Sequence, residues 1–439
     1  MKILQVIHYF PPYSIGGSEF YTWYLSRELS KHHDVRIVFT VPEDGENNRI
    51  VRGIYDGMLY WGLKKNRKPS SYPFQDRNRW VEEQFSEIIN QFTPDIIHFQ
   101  HLINLSLALP SIAKRNGIAT CCTLHDFWLL CPRTTFLTPQ LTRCDHYSAR
   151  QCFRCTEEEI CYYATQKKVR GIWSSGKNEI KKLLNMGKKA EAFVSLTLWR
   201  RYWVRKVFNE VDMFIAPSQF LLQRYLQNGL AREKIVFIRH GFNTSMSQQI
   251  KKTASATVRF GFIGSLSAHK GIHLLIDAFN RVEGPGELKI YGRIREPIYS
   301  SLIKRIKNPN IHLLGELKEE AKAHAFSEID VLIFPSICYE NCPLSIHEAF
   351  VANVPVITAD IGGMAELVKD GENGLIFRAG DVMNLSEKIQ ECINNPDILS
   401  RLTSHMPAVK DITVNAAEIL QLYAQLQSRP AGPSNPEKK

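Results

Sequence analysis

Val331-Leu-Ile-Phe334-Pro-Ser-Ile-Cys-Tyr-Glu340-Asn-Cys-Pro343-Leu-Ser-Ile-His-Glu348 is the stretch that decides how this chain is read. Its first four residues are apolar and short, as in a strand covered on both faces. Pro343 suits a first helical position, so the spacing predicts a strand, a loop and a helix in direct succession. That order is a unit of a parallel α/β sheet, and it sets two carboxylates astride the junction. Glu340 falls in the loop, while Glu348 lies ~7 Å along the helix at roughly 1.5 Å per residue. Between them the helix start offers N–H groups with no intrahelical partner, a ready anion site. Two carboxylates that accept from hydroxyls, flanking a positive pole, suit a nucleotide-sugar. Alone, the pair fits a surface helix with two unrelated glutamates equally well.

Working outward, the same alternation fills most of the chain. Ile3–Ile7, Val35–Thr40, Asp95–Phe99 and Thr120–Leu124 read as short buried strands, separated by helical patterns over Glu19–Lys31, Trp80–Phe92 and Leu105–Asn116. Val211–Ala216, Ser218–Asn228 and Ile235–Ile238 continue the series. A second alternation starts at Arg259–Gly264 and runs through Ile272–Val282, Leu288–Tyr291, Pro297–Ile306, Ile311–Leu314, Lys318–Glu328, Val331–Phe334, Leu344–Val351, Val354–Thr358 and Val382–Asn394. The expectation is an α/β protein with two doubly wound, Rossmann-like domains. The first covers 1–245, the polar stretch 246–257 is the linker, and the second covers 258–410. A helix over 411–427 packs back on the first domain, and 428–439 is a disordered tail.

The length of 439 residues agrees with two cores rather than one. Met1-Lys-Ile-Leu-Gln-Val-Ile7 reads as a first strand rather than a signal peptide, and no apolar stretch is long enough to span a bilayer, so a cytoplasmic location is expected. The formal charge of +11 favours an anionic partner. The excess concentrates between Lys167 and Lys206, where twelve Lys and Arg face only Glu179 and Glu191. Trp173, Trp199, Tyr202, Trp203 and several leucines are interleaved there. That mixture suits contact with an anionic membrane surface as well as helices that pack their aromatics inward.

Further chemistry sits at the ends of expected strands, where ligands bind in open α/β sheets. Gly16-Gly17 permits close backbone approach, as it would in a plain tight turn. Gly264-Ser265-Leu-Ser-Ala-His-Lys270-Gly271 aims a lysine at the same edge, where it can neutralise a leaving diphosphate or be merely exposed. His125-Asp126 ends the Thr120–Leu124 strand. Ile361-Gly362-Gly363 and Asp370-Gly371-Glu-Asn-Gly374 supply glycine-permitted turns.

Taken in order, Gly16-Gly17, His125-Asp126, Gly264…Lys270-Gly271, the Glu340/Glu348 pair and Gly362-Gly363…Gly374 resemble the family-4 glycosyltransferases of the GT-B fold. The resemblance covers the chain from Met1 to about Ile393. It implies two domains facing a cleft and retaining transfer of a sugar from a nucleotide-diphosphate donor to a glycan or lipid-linked acceptor in cell-surface polysaccharide synthesis. By that resemblance Glu348 holds the ribose, Glu340 the transferred sugar, and Lys270 the diphosphate. Asn341, Cys342, Pro343 and Leu344 line the loop beneath, with Pro343 unable to donate an N–H. His125 faces the anomeric centre, and no divalent metal is needed for catalysis. The family commonly has an Arg after the glycine at Gly264, where this chain has Ser265. Arg239 could compensate.

Cysteines cluster after His125. Cys131, Cys144, Cys152, Cys155 and Cys161 fall within 31 residues, inside an insertion over about 127–207, and Cys152-Phe-Arg-Cys155 forms a C-x-x-C knuckle. Such grouping suits a structural Zn²⁺ on Cys131, Cys144, Cys152 and Cys155, an iron–sulfur cluster, or reduced redox thiols. Some family-4 members look similar here. With the basic region, the insertion is expected to shape an acceptor pocket at the inner face of the cell membrane. Two competing readings exist: a sugar-nucleotide epimerase or hydrolase on the same fold, and a zinc-stabilised nucleic-acid binder. The second leaves the ordered glycine loops unexplained, so no nucleic-acid partner is expected.

Overall fold

The computed structural model describes residues 1–14, 16–42, 47–65, 77–145, 151–152, 155–156, 186–293 and 298–428. It divides into two compact units, one of 1–216, 224–238 and 416–439, the other of 217–223 and 239–415.

The first unit holds a sheet of order β3-β4-β2-β1-β5-β6-β7-β8. Its strands are β1 Lys2–Val6, β2 Asp34–Thr40, β3 Arg49–Tyr55, β4 Met58–Lys64, β5 Ile96–Phe99, β6 Ala119–Thr123, β7 Met213–Ala216 and β8 Ile235–Phe237. Ile3 registers with Val35 on one side and Ile96 on the other, which fixes β1 at the centre. Helices α1 Gly17–Ser30, α2 Arg79–Phe92, α3 Leu109–Arg115 and α4 Met186–Glu210 connect the strands. All four residues of β5 are buried, as a strand covered on both faces requires. Each Ile or Phe so buried contributes about 1.5–3 kcal/mol.

Only β3 runs antiparallel, paired with β4 through Asp56-Gly57. Both turn residues have positive φ, +49° and +78°, the conformation of a two-residue hairpin turn. This hairpin lies outside the strands expected from the apolar runs, although Asp-Gly between two β-rich runs announces it. The helix expected from Leu105 begins instead at Leu109, because Pro110 is confined to the first turn.

The second unit carries the order β11-β10-β9-β12-β13-β14, with its strand pairings parallel among the described residues. The strands are β9 Val258–Ile263, β10 Gly286–Tyr291, β11 Ile311–Gly315, β12 Val331–Phe334, β13 Val356–Ala359 and β14 Gly374–Phe377. Helices α5 Gln219–Gln227, α6 Ile272–Phe279, α7 Ile298–Arg305, α8 Lys322–Ser327, α9 Leu344–Val351, α10 Met364–Leu367, α11 Val382–Asn394, α12 Asp397–Thr403 and α13 Ile412–Gln427 complete the described chain, and α5 and α13 each run from one unit into the other. One apolar core joins Phe260, Phe262, Leu275, Phe279, Ile333 and Ile346 between sheet and helices.

Three expectations shift here. The division between units falls at Ile238 and Arg239, upstream of the polar stretch 246–257. That stretch folds with the second unit, where Lys252 Nζ donates to the carbonyls of Phe326 and Ile329. The helix over Lys318–Glu328 splits into a 3-10 turn at Glu319–Ala321 and the short α8. Pro343 is the N-cap of α9, one position before the helix proper. The tail beyond Ser428 lies outside the described residues.

Candidate active-site residues in the two units

In the second unit the strand order reverses between β9 and β12, and the loops following these strands carry Lys270 and Glu340. A ligand crevice opens at such a reversal. Gly271 makes the approach of the two loops feasible: its φ is +71°, and a Cβ there would stand 1.9 Å from the Pro335 carbonyl oxygen. The amide of Ile337 donates to the His269 carbonyl at 3.0 Å, and Ser336 Oγ lies 3.1 Å from the same oxygen. A third loop closes from β13, where Gly363 N donates to the Glu340 carbonyl at 2.7 Å.

Lys270 Nζ donates to Glu340 Oε1 at 2.7 Å, and Ser336 Oγ donates to the same oxygen at 2.8 Å. Burial by itself raises the Glu340 carboxyl, but the Lys270 ammonium and the Ser336 hydroxyl outweigh it and hold it below the ordinary range. Burial likewise lowers the Lys270 ammonium, and Glu340 more than restores it. The pair is thus a fixed charge couple. Glu348 faces into an ion pair with Lys322 of α8, and Lys322 also holds Glu319 at 2.7 Å.

The structure gathers Lys270, Glu340, Asn341, Cys342, Pro343 and Leu344 on two adjoining loops and the α9 start. Asn341 is buried and accepts from Ser218 Oγ at 2.7 Å. Arg239 stands close enough to act on both Cys342 and His347, so its charge lies at the base of this loop. Ser265 is exposed and pairs with Ser267 at 3.2 Å. Lys322 and Ser336 were missed in the sequence. Lys322 has no local signal, being 26 residues from Glu348.

In the first unit Gly16 caps α1 and Gly17 begins it, beside Glu19. Glu19 is buried, which raises its carboxyl, and it accepts from Ser18 Oγ at 2.8 Å. His8 Nε2 lies 3.6 Å from Glu19, its ring 4.6 Å from that of His101, and His101 Nε2 lies 3.2 Å from Asp126 Oδ2. These residues follow β1, β5 and β6 and share one sheet edge.

His125 belongs to a second chain of contacts, unseen in the sequence. Its Nε2 meets Gln100 Oε1 at 2.8 Å, and Gln100 Nε2 donates to Gln5 Oε1 at 2.9 Å. Gln5 Nε2 donates to Tyr423 Oη at 3.4 Å, Tyr423 meets His98 Nδ1 at 2.7 Å, and His98 Nε2 meets Thr123 Oγ1 at 2.7 Å. One consistent proton order satisfies the whole chain: each amide nitrogen donates, Tyr423 donates to His98, and His125 carries its proton on Nε2. In the neutral ring Nδ1 is then the acceptor nitrogen.

Burial pulls His98 down to about 3, and burial with Arg239 does the same to His347. Both rings are neutral in the fold, whereas an unfolded histidine protonates near ~6.5. Between those values the unfolded chain binds more protons, so stability falls as pH drops through the window. The expected loss is about 2 kcal/mol per ring at about pH 5. Urea midpoints that do not fall between neutral and mildly acid buffer would count against this assignment.

Cys131, Cys144, Cys152 and Cys155 all line one small cavity of about 30 Å³. The backbone N–H groups of Phe136 and Arg133 point at the Cys131 sulfur, and Cys144 lies near enough to act on it. Among the described residues, no three His, Cys, Asp or Glu side chains stand close enough together to hold a metal ion. Cys161 lies outside the described residues, as do Lys167–Lys182 of the basic region. Among the described residues, no helix is long and apolar enough to cross a membrane.

With this geometry in place, residues 15–158 match the family model "Glycosyltransferase Family 4" and residues 257–395 match "Glycosyl transferases group 1". A relative, the capsular polysaccharide biosynthesis glycosyltransferase CapM of Staphylococcus aureus, is 27% identical over 45% of this chain and 58% of its own length. The chain spans 58–66% of the length of the first curated relatives it matches. Sucrose-phosphate synthase of Thermosynechococcus elongatus superposes with a TM-score of 0.68 over 97% of this chain and 98% of its own, at 16% identity. Anabaena HepE in complex with UDP gives 0.66 over 97% and 100%, also at 16% identity. The chain therefore carries a family-4 glycosyltransferase domain followed by a group-1 glycosyltransferase domain, in the two-domain α/β arrangement called GT-B.

Proposed function

We propose that this protein is a retaining glycosyltransferase that moves a sugar from a nucleotide-diphosphate sugar to a lipid-linked glycan in cell-surface polysaccharide synthesis. The observation that carries the reading is the Lys270–Glu340 couple at the strand-order reversal of the second sheet. Lys270 stabilises the departing diphosphate, with Arg239 as a second cation where Ser265 offers none. Glu340 accepts from hydroxyls of the transferred sugar, and Glu348 accepts from the ribose. His125 contributes from the first unit, through the acceptor nitrogen that its Gln100 contact leaves on the ring. CapM, named for capsular polysaccharide biosynthesis, and HepE, seen with UDP, support the substrate class. The basic, aromatic end of α4 supports peripheral contact with an anionic membrane at the inner face of the cell membrane.

The test is calorimetry with a panel of nucleotide-sugars, followed by turnover with and without acceptor in EDTA. One nucleotide-sugar is expected to bind, with chelator leaving turnover intact. Glu348→Ala is expected to weaken nucleotide binding about tenfold or more while kcat changes little. Donor consumed equally fast without acceptor would identify a hydrolase or epimerase, and binding of no nucleoside diphosphate would end the reading.

A structural Zn²⁺ on Cys131, Cys144, Cys152 and Cys155 remains part of the proposal, supported by their convergence on one cavity. It requires the four sulfurs to draw together around the ion. Metal analysis of protein purified without chelator is expected to give one zinc per chain, lost in Cys152→Ser. Protein without zinc retires the site.

A further inference from the structure

A cleft of about 410 Å³ in the first unit is lined by Arg200, Arg201 and Arg205 of α4, with Leu129, Leu130, Val204, Phe208 and the turn Gln227-Asn228-Gly229. Among the described residues, its lining holds three guanidinium groups and no carboxylate. Arg200 is only 2% exposed: it donates to the Trp128 carbonyl and stacks on the Trp128 ring at 4.6 Å. A buried arginine fixed in this way holds its planar guanidinium in place beside the cavity. Leu129, on the wall, belongs to the loop that begins at His125, and it also walls the smaller cavity lined by His125, His101 and Asp126.

The neighbouring face of α4 is apolar and open. Leu198, Trp199 and Tyr202 are about half exposed, and the rings of Trp199 and Tyr202 stack at 6.0 Å. At 3.6 residues per turn, positions 198, 199 and 202 adjoin 201 and 205 around the helix. An anion pocket bordered by exposed Trp, Tyr and Leu fits an amphiphile with a charged head and a hydrocarbon chain.

We propose that this cleft binds the phosphate group linking the acceptor saccharide to its lipid, with the first part of the hydrocarbon chain lying across Leu198, Trp199 and Tyr202. Arg201 and Arg205 clamp the phosphate oxygens, and Arg200 supplies fixed charge behind them. The inference rests on the reading that the acceptor is lipid-linked. It adds the place of the phosphate and the residues that read it.

The experiment is vesicle flotation with the full chain at fixed salt. Phosphatidylcholine vesicles doped with a polyprenyl diphosphate are compared with phosphatidylcholine vesicles carrying phosphatidylglycerol at equal surface charge. The polyprenyl vesicles are expected to bind about tenfold or more tighter, and soluble pyrophosphate is expected to compete. R201Q/R205Q, at exposed positions, is expected to abolish that preference. W199S/Y202S is expected to lose vesicle binding while fluorescence quenching by pyrophosphate persists. Equal binding to both vesicles, or a preference unchanged in R201Q/R205Q, overturns the site. Binding of nucleoside diphosphates and nucleotide-sugars is measured alongside by calorimetry: if none binds while the vesicle preference holds, the proposed function fails and the phosphate site stands.

Discussion

Lys270→Met is expected to reduce turnover by about 10²–10³-fold and to cost roughly 3–5 kcal/mol of folding stability in the second unit. Both effects have one origin. The ammonium is the fixed counter-charge of Glu340 in the resting protein and, on the proposed mechanism, the group that meets the departing diphosphate. Truncation leaves the Glu340 carboxylate buried with only Ser336 and the Cys338 thiol as donors. A second change separates the two roles. Glu340→Gln on top of Lys270→Met removes the stranded charge, so stability should largely return while turnover stays low. A double variant that regains activity along with stability would show that the lysine only holds the loop.

The second large effect concerns His125. His125→Ala is expected to lower kcat about 10²–10³-fold with little change in nucleotide affinity. Gln100→Leu, which touches no substrate in this scheme, is expected to lower kcat about tenfold by releasing the ring from its Nε2–H form. It also strands the buried Gln5 carbonyl, at a cost of about 1–3 kcal/mol in stability. Tyr423→Phe, two links further along the chain of contacts, should show a smaller loss in the same sense. Wild-type kcat in Gln100→Leu beside an inactive His125→Ala would remove any positioning role for the glutamine.

What the sequence made legible follows from which interactions are local. The run Val331–Phe334 and the helix Leu344–Val351 lie where periodicity puts them, because each is defined by its own apolar pattern. Lys270 and Glu340 were recognisable one by one as loop residues after strands. Their meeting depends on β9 and β12 becoming neighbours, a pairing of segments about 70 residues apart that no window contains. The partners of Glu348 and His125 were invisible for the same reason. Lys322 looks like any helical lysine, and Gln100 follows a strand with nothing to mark it. The Asp56-Gly57 hairpin was legible from its turn residues, and so was the start of α3 from Pro110, yet the expected elements include no hairpin there and begin the helix at Leu105.

Helix α13 gives the polypeptide a particular history during synthesis. Tyr423 completes hydrogen bonds to Gln5 and His98, partners 418 and 325 positions earlier. Elongation from the ribosome therefore delivers Gln5 418 residues before its buried partner Tyr423. Until residue 423 emerges, Gln5 Nε2 and His98 Nδ1 lack their contact with the Tyr423 hydroxyl in an otherwise formed interior. Nascent chains stalled before α13 should accordingly remain protease-sensitive in the first unit, maturing only once α13 has emerged, since contacts of such sequence separation form late.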